Sequence, residues 1–195
     1  MPAEGYRRAA RRRGRVRIAG GSLRGRLLEV PPDARPTPVR ARETLFDWLA
    51  PEVRGAHCLD LFAGAGALGL EALSRGAAHC VFVESQPTVA GMLRRVVDEW
   101  QVAGQVELAD AVRWLDKPDG RRRMDIVFMD PPFGSGLAAR CCKLLSRNGW
   151  LADNCRLYLE AGKRDPLTEL PLELGILREK VVGDVRMMLA GRKGT

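Results

Sequence analysis

A short apolar stretch that runs into a glycine-rich turn constrains the fold of this chain more than any other feature. Residues 58–61 are apolar apart from Asp60, and Gly64, Gly66 and Gly69 follow with the spacing G-x-G-x-x-G. Glycines at these positions permit a tight turn and let a ligand approach the backbone closely. Residues 67–75 predict a helix whose N-terminal amides face that ligand. The segment predicts the strand–turn–helix unit of a nucleotide-binding fold, although a turn without a ligand has the same pattern.

Apolar strands and amphipathic helices alternate through most of the remaining chain. Near-continuous apolar strands separated by helices are typical of a parallel sheet covered by helices on both faces. Gly183-Asp184 lies between two apolar runs and predicts a terminal hairpin, which adds an antiparallel edge. We therefore predict an α/β fold with a mostly parallel seven-stranded sheet, its strands at 57–62, 79–84, 105–108, 124–129, 156–160, 177–182 and 185–189, and helices at 87–102 and 137–146.

The basic residues are concentrated near the N-terminus. Residues 1–42 contain twelve arginines and three acidic residues, whereas the formal net charge of the whole chain is +8. We predict a disordered arginine-rich tail at 1–14, then a β-hairpin at 15–30 and a helix at 39–50. Arginine clusters suit phosphate backbones, although a solvated tail that binds nothing has the same composition. The predicted nucleic-acid contacts of the hairpin are Arg15, Arg17, Arg24 and Arg26.

Composition argues against several other classes of protein. The five cysteines form no C-x-x-C pair and there are only two histidines, so we predict reduced core cysteines and no metal site. No apolar run approaches the roughly 18 residues of a transmembrane helix. The basic N-terminus lacks the apolar segment of a secretory signal. We therefore expect a cytoplasmic protein, without membrane contact and monomeric.

Acidic residues lie at or near the carboxyl ends of four of the predicted strands, namely Asp60, Glu84, Asp110 and Asp130. Ligands of parallel sheets bind beyond the carboxyl ends of the strands, where these four side chains would meet. Each acid taken singly is most simply a solvated loop residue. Their convergence at one edge of the sheet predicts a cofactor pocket.

Two cofactors compete for this pocket. A nicotinamide cofactor fits the glycine spacing, and Glu84 lies twenty residues after Gly64, where dehydrogenases place an acid on the ribose. S-adenosylmethionine fits the same geometry but carries a cationic sulfonium amino acid instead of a pyrophosphate. Asp60 favours the second cofactor, because a carboxylate attracts a cation and repels a pyrophosphate.

The segment Asp130-Pro131-Pro132-Phe133 directly follows a predicted strand and suits the methylation of an exocyclic amine. The lone pair of a nucleobase amino group is delocalised into the ring, so the nitrogen is a poor nucleophile. Asp130 and a backbone carbonyl of the rigid Pro-Pro turn can accept its two N–H hydrogens and turn the lone pair toward a methyl group. Phe133 offers a face on which the base can stack. The alternative is a strand that ends at a proline turn, with Phe133 in the core.

Three segments in this order, at 35–49, 60–72 and 130–133, resemble the bacterial small-subunit ribosomal RNA guanine-N2 methyltransferases. The resemblance covers nearly all of residues 15–189. It implies a Rossmann-like class I methyltransferase that uses S-adenosylmethionine, with a catalytic domain at 51–195 preceded by an RNA-binding hairpin and a cofactor-covering helix at 15–50. The chain departs from the family pattern at Pro38-Val39, where Thr-Asp is usual.

The resemblance also implies a role for each matching residue. Asp60, Gly64 and Gly66 would hold the methionyl end of the cofactor, and Glu84 would accept from its ribose hydroxyls. Asp110 and the Ala111 amide would contact the adenine of the cofactor. Asp130 and the Pro131 carbonyl would hold the guanine N2. Thr37 and Arg40 would cover the cofactor and approach the RNA.

The leading hypothesis is methyl transfer from S-adenosylmethionine to the exocyclic N2 of a guanine in small-subunit ribosomal RNA, either as free RNA or within the ribosomal particle. Amino-group methylation of DNA or of another RNA is an enzymatic alternative, because Asp-Pro-Pro alone fits either amine. A non-catalytic RNA-binding factor that keeps a nucleotide pocket is an alternative from another class, and a dehydrogenase is the fourth hypothesis.

Overall fold

A seven-stranded sheet forms the centre of the computed structural model, in the order β5-β4-β3-β6-β7-β9-β8. The structure describes residues 14–31, 38–117, 123–166 and 169–192. The five neighbouring strands β5, β4, β3, β6 and β7 pair in parallel. Strand β9 pairs antiparallel with both β7 and β8. The predicted α/β class, with a mostly parallel sheet, helices on both faces and a small N-terminal hairpin, is confirmed.

The strands and helices alternate along the chain. The small hairpin consists of β1 and β2, which pair antiparallel, and α1 precedes the main sheet. The strands are β1 Gly14–Arg17, β2 Leu27–Val30, β3 His57–Asp60, β4 His79–Glu84, β5 Gly104–Leu108, β6 Met124–Met129, β7 Leu151–Gly162, β8 Leu174–Val182 and β9 Val185–Arg192. The helices are α1 Val39–Trp48, α2 Ala67–Ser74, α3 Pro87–Trp100, α4 Ala111–Leu115 and α5 Leu137–Arg147.

Alternating side chains of the strands divide the core into two layers. On one face, Cys58, Phe82 and Phe128 pack with the hairpin, α1, α2 and α3. On the other face, Leu59 and Val127 pack with α4 and α5. The hairpin and α1 therefore share the main core and are not a separately packed appendage.

A buried carboxylate fastens the hairpin to α2. Glu71 of α2 accepts hydrogen bonds from the amides of Ala19 and Gly20, both at 2.8 Å. Its side chain is fully buried and forms ion pairs with Arg42 of α1 at 3.3 Å and with Arg75 at 2.8 Å. Arg42, also fully buried, donates to the carbonyl of Arg17 at 2.7 Å. Because Glu71 joins α1, α2 and the hairpin, it fixes the arginine-bearing hairpin to the helix that follows the glycine turn.

Several details differ from the sequence-based expectations. Helix α4 was not predicted, and β7 extends well beyond the predicted 156–160 because it pairs with β6 on one side and β9 on the other. Helix α1 ends at Trp48 instead of the predicted residue 50, and Val39 at its start is exposed. All five cysteines are buried and free, as predicted. Residues 1–13 of the predicted tail lie outside the described residues, and Gly14 begins β1.

No helix of the described residues is long and apolar enough to cross a membrane.

Candidate active site

The glycine turn lies between β3 and α2, as its spacing predicts. Gly64 and Gly66 have φ values of 52° and 81°, in the left-handed region that favours glycine. A Cβ at Gly66 would lie 2.5 Å from Cδ1 of Leu93 on α3, whereas a Cβ at Gly64 would meet no atom within 4 Å. Gly66 therefore permits close packing, and the space beside Gly64 is open to a ligand.

Gly69 serves helix packing rather than ligand approach. A Cβ there would collide with the ring of Phe82 and the Sγ of Cys80, both on β4. The third glycine of the motif therefore lets α2 lie close against the sheet, and this contact sets the direction of the helix N-terminus.

Asp60 ends β3 and is almost completely buried, with 3% of its surface exposed. Its Oδ2 accepts from the Gly69 amide at 3.1 Å, so the carboxylate satisfies one of the free amides at the start of α2. Burial raises the pKa of Asp60 to about 7, and the nearby carboxylates of Glu84 and Glu160 add to the rise. A cation that approached Asp60 would be stabilised by this buried negative charge.

Glu84 ends β4 and joins it to the glycine turn. Its Oε2 accepts from the Gly64 amide at 2.9 Å, and its Oε1 accepts from the Gln86 amide at 2.7 Å. A carboxylate has about four lone-pair directions, so these bonds orient the side chain and leave it capacity for ligand hydroxyls.

Asp110 follows β5 and is the N-cap of α4. Its Oδ1 accepts from the Arg113 amide at 3.0 Å. Asp110 is exposed and Ala111 is buried. The unpredicted helix α4 thus begins at the pair of residues that the resemblance assigns to the adenine.

The Asp130-Pro131-Pro132-Phe133 segment follows β6 at the same edge of the sheet. Burial raises the pKa of Asp130 well above its ordinary value, and the neighbouring carboxylates of Glu160 and Asp60 raise it further. Phe133 is not a core residue, because 50% of its surface is exposed. A cavity of about 320 Å³ lies against this segment, lined also by the start of α5 and by Glu160.

Sequence-based prediction missed Glu160, which lies two residues before the end of β7 and close to Asp130. It is 3% exposed, and its Oε1 accepts from the Tyr158 hydroxyl at 2.7 Å. Burial and the adjacent Glu160 raise the pKa of Tyr158. An acid at the carboxyl end of a fifth apolar strand was the available signal, because the other four acids were recognised in the same way.

The four predicted arginines of the hairpin, Arg15, Arg17, Arg24 and Arg26, are all exposed. The Arg26 guanidinium lies over the Trp100 ring at 5.2 Å from its centroid. Arg40 is exposed on the first turn of α1, and Thr37 lies outside the described residues. The hairpin therefore presents its positive charge to solvent.

These residues fit S-adenosylmethionine. The open space beside Gly64 admits a ligand close to the backbone, and Glu84 is oriented by that same turn. The buried Asp60 provides negative charge for a sulfonium amino acid and disfavours a pyrophosphate.

Comparison with known proteins gives a consistent result. Residues 16–191 match the family model described as conserved hypothetical protein 95. Over 183 residues the chain is 43% identical to the ribosomal RNA small subunit methyltransferase D of Escherichia coli K12, covering 92% of this chain and 91% of that protein. The Haemophilus influenzae protein of the same name is 40% identical over 182 residues, 91% of this chain and 94% of that protein.

The chain belongs to the family of the ribosomal RNA small subunit methyltransferase D proteins. Among solved structures, the putative methyltransferase yhhF from Escherichia coli superposes with a TM-score of 0.85 at 41% identity, covering 93% of this chain and 100% of that one. A T. thermophilus 16S rRNA N2 methyltransferase, solved with AdoMet and guanosine, has a TM-score of 0.68 at 22% identity, covers 93% of this chain and 50% of that one, and shares the fold. The named relatives are ribosomal RNA methyltransferases, and the neighbour solved with AdoMet has the same fold as this chain.

Proposed function

We propose that this chain transfers a methyl group from S-adenosylmethionine to the exocyclic N2 of a guanine in small-subunit ribosomal RNA. The observation that carries the proposal is the position of the partly buried Asp130, with Pro131 and Pro132, after β6, the strand that pairs with β3 next to the glycine turn. Groups that can accept hydrogen bonds from an amine would therefore lie next to the bound methyl donor. The names of the similar methyltransferases support ribosomal RNA as the polymer, and a cytoplasmic location follows from that substrate.

The chain's own residues prepare the amine. Asp130 accepts one N2–H hydrogen and the Pro131 carbonyl accepts the other, so the nitrogen lone pair turns out of the ring plane. Phe133, half exposed at the cavity, stacks on the base and holds it in line. The cofactor supplies an electrophilic methyl carbon on a sulfonium, which departs as a neutral thioether.

The proton balance favours Asp130 as the base. As the N2–C bond forms, the nitrogen becomes cationic and must lose one proton. The raised pKa of Asp130 makes its ionised carboxylate a stronger proton acceptor than an exposed aspartate. We therefore assign the departing proton to an oxygen of Asp130, from which it passes to water.

The cofactor is held by residues from four segments. Asp60 faces the methionyl ammonium, Gly64 and Gly66 admit the methionyl chain, and Glu84 accepts from the ribose hydroxyls. The proposed adenine contacts are Asp110 and the Ala111 amide, and Thr37 with Arg40 covers the bound cofactor.

The hairpin supplies contacts to the RNA backbone. Its exposed guanidinium groups can bind phosphates without reading the sequence. The target base is either unpaired or flipped out of its stack, since the exocyclic amine must reach the Asp130 site. The proposed backbone contacts are Arg15, Arg17, Arg24 and Arg26, in a monomeric enzyme.

The proposal is tested by comparing catalysis with cofactor binding in one variant. Asp130→Ala should reduce methylation of ribosomal RNA by at least about a thousand-fold, because both acceptor and base are lost. Its affinity for S-adenosylhomocysteine, measured by calorimetry, should change less than about three-fold. Methylation at a near-normal rate by Asp130→Ala would place the reaction elsewhere, and a strong preference of the wild type for DNA would refute the polymer assignment.

A further inference from the structure

Glu160 and Asp130 lie side by side at the carboxyl ends of adjacent strands. The register pairs Phe128 with Tyr158 and Met129 with Leu159, so one further step along both strands brings Asp130 next to Glu160. The electrostatic effect of Glu160 on both Asp130 and Tyr158 agrees with this proximity. Two carboxylates therefore face the proposed methylation site, and only one is used in the reaction described above.

The cavity beside the Asp-Pro-Pro-Phe segment is shared by both strands. It has a volume of about 320 Å³, and Pro131, Pro132 and Phe133 line it together with Glu160 and Ala161. One wall thus carries the half-exposed ring of Phe133, and another carries a buried carboxylate. An aromatic face and a carboxylate are what a flat base with N–H donors on its edge requires.

The Watson–Crick edge of guanine differs from that of adenine at one atom beside the amine. Guanine presents the N1–H donor next to its N2 amino group, so two neighbouring carboxylates can accept from one base edge. Adenine presents N1 as an acceptor next to its amino group, and a carboxylate there would face a lone pair. A second carboxylate beside Asp130 therefore distinguishes the two bases.

We propose that Glu160 is a specificity-determining residue that accepts the N1–H of the guanine whose N2 amino group is held by Asp130. This inference rests on the proposed guanine-N2 activity. The Tyr158 hydroxyl, which donates to Oε1 at 2.7 Å, is a positioning group that fixes the orientation of the carboxylate. Glu160 takes no proton from the reaction and touches only the base edge.

The base 2-aminopurine isolates this contact. It carries the same 2-amino group as guanine, so Asp130 can still hold that group for methylation, but its N1 is an acceptor. Wild-type enzyme should therefore discriminate strongly against 2-aminopurine, because the Glu160 carboxylate would face the N1 lone pair. In Glu160→Gln the side-chain amide can donate to N1 of 2-aminopurine, and the discrimination should decrease.

The experiment compares two RNAs that differ only at the methylated nucleotide, which is first mapped with the wild-type enzyme. One RNA carries guanine there and the other carries 2-aminopurine, introduced by ligation of a synthetic fragment. The measured quantity is the ratio of kcat/KM for guanine to kcat/KM for 2-aminopurine. Glu160→Gln should lower this ratio by about ten- to a hundred-fold, the effect of losing one charge-assisted hydrogen bond.

The matched control is Glu179→Gln, which changes a carboxylate on β8, two strands away from β7 in the sheet. This variant should keep the wild-type ratio. Thermal unfolding and the affinity for S-adenosylhomocysteine are measured to check that Glu160→Gln is folded. Tyr158→Phe keeps the Glu160 carboxylate but removes the hydroxyl that orients it, so it should lower the ratio by a smaller factor.

Two failures are distinguishable. If wild-type enzyme forms no N2-methylguanosine, the proposed function is wrong and the role of Glu160 falls with it. If the wild type forms N2-methylguanosine and folded Glu160→Gln keeps the wild-type ratio, the proposed function stands and the assignment of Glu160 alone is overturned.

Discussion

Replacement of Glu71 by glutamine should destabilise the protein and release its N-terminal hairpin. The carboxylate accepts from two hairpin amides and from two guanidinium groups, one of which belongs to the fully buried Arg42. Glutamine keeps the size of the side chain but has one acceptor oxygen and an NH₂ group. In either orientation of the amide, the NH₂ group would face at least one N–H donor that now meets an oxygen.

The size of the expected loss in folding stability follows from the burial of Arg42. An ion pair that loses one buried partner leaves an uncompensated charge, which costs about 3–5 kcal/mol. A domain of this kind has about 5–15 kcal/mol of total stability, so the loss is a large fraction of the whole. Arg75 contributes less, because 23% of its side chain is exposed, and Arg75→Ala should cost about 1 kcal/mol or less.

Urea unfolding followed by circular dichroism measures the global loss for Glu71→Gln, and hydrogen exchange measures the protection of β1 and β2. The matched control is Asp153→Asn, whose ion pair with Arg123 is exposed and whose loss should change stability by less than about 0.5 kcal/mol. Adding Arg42→Met to Glu71→Gln should cost less than the sum of the two single changes. A global loss below about 1 kcal/mol with unchanged hairpin protection would refute this account of Glu71.

Three further predictions concern the site. Because the pKa of buried Asp60 is raised to about 7, its ionised form is lost as the pH falls, and affinity for S-adenosylmethionine should weaken about five-fold from pH 7 to pH 6 by calorimetry. Asp60→Asn should bind more weakly with no such dependence, and a pH-independent wild type would contradict the role of Asp60. Because burial raises the pKa of Asp130, kcat of the wild type should increase with pH on an acid limb that lies above the ordinary carboxyl range. Asp130→Asn should lower kcat and lose that limb. An acid limb that remained in Asp130→Asn would belong to another group. The double variant Arg24→Gln/Arg26→Gln should make the association constant for single-stranded RNA less sensitive to salt, so that the negative slope of log K against log salt becomes shallower by about 1.4. An unchanged slope would show that these side chains do not bind phosphates.

The sequence predicts the strands and the turn wherever local pattern decides the structure. The bounds of β4 and β6 agree with the prediction, because both are mainly apolar runs with an acid at the last residue or directly after it. The glycine turn and the positions of Asp60, Glu84 and Asp130 at one sheet edge follow from the same local signals. Helix α4 was missed because it has only five residues, too few for a helical period to be recognised.

Long-range contacts were not predictable from local pattern. Glu71 occurs in a mainly apolar helix, and nothing near it in sequence shows that its donors are hairpin amides more than fifty residues away. Its partner Arg42 lies among the arginines that composition assigns to RNA binding, yet it is fully buried. Glu160 ends a predicted strand and so had a local signal, but its place beside Asp130 depends on the register that sets β7 beside β6.

The identity of the methylated nucleoside decides whether this chain is a guanine-N2 methyltransferase. Small-subunit ribosomal RNA, free or within the particle, from cells that lack the gene is treated with the purified enzyme and isotopically labelled S-adenosylmethionine, then digested to nucleosides and analysed by mass spectrometry. We expect the label to appear as N2-methylguanosine with the wild type and to be absent with Asp130→Ala. Label in an adenine derivative, or in N2-methylguanosine formed equally by both proteins, would contradict this expectation.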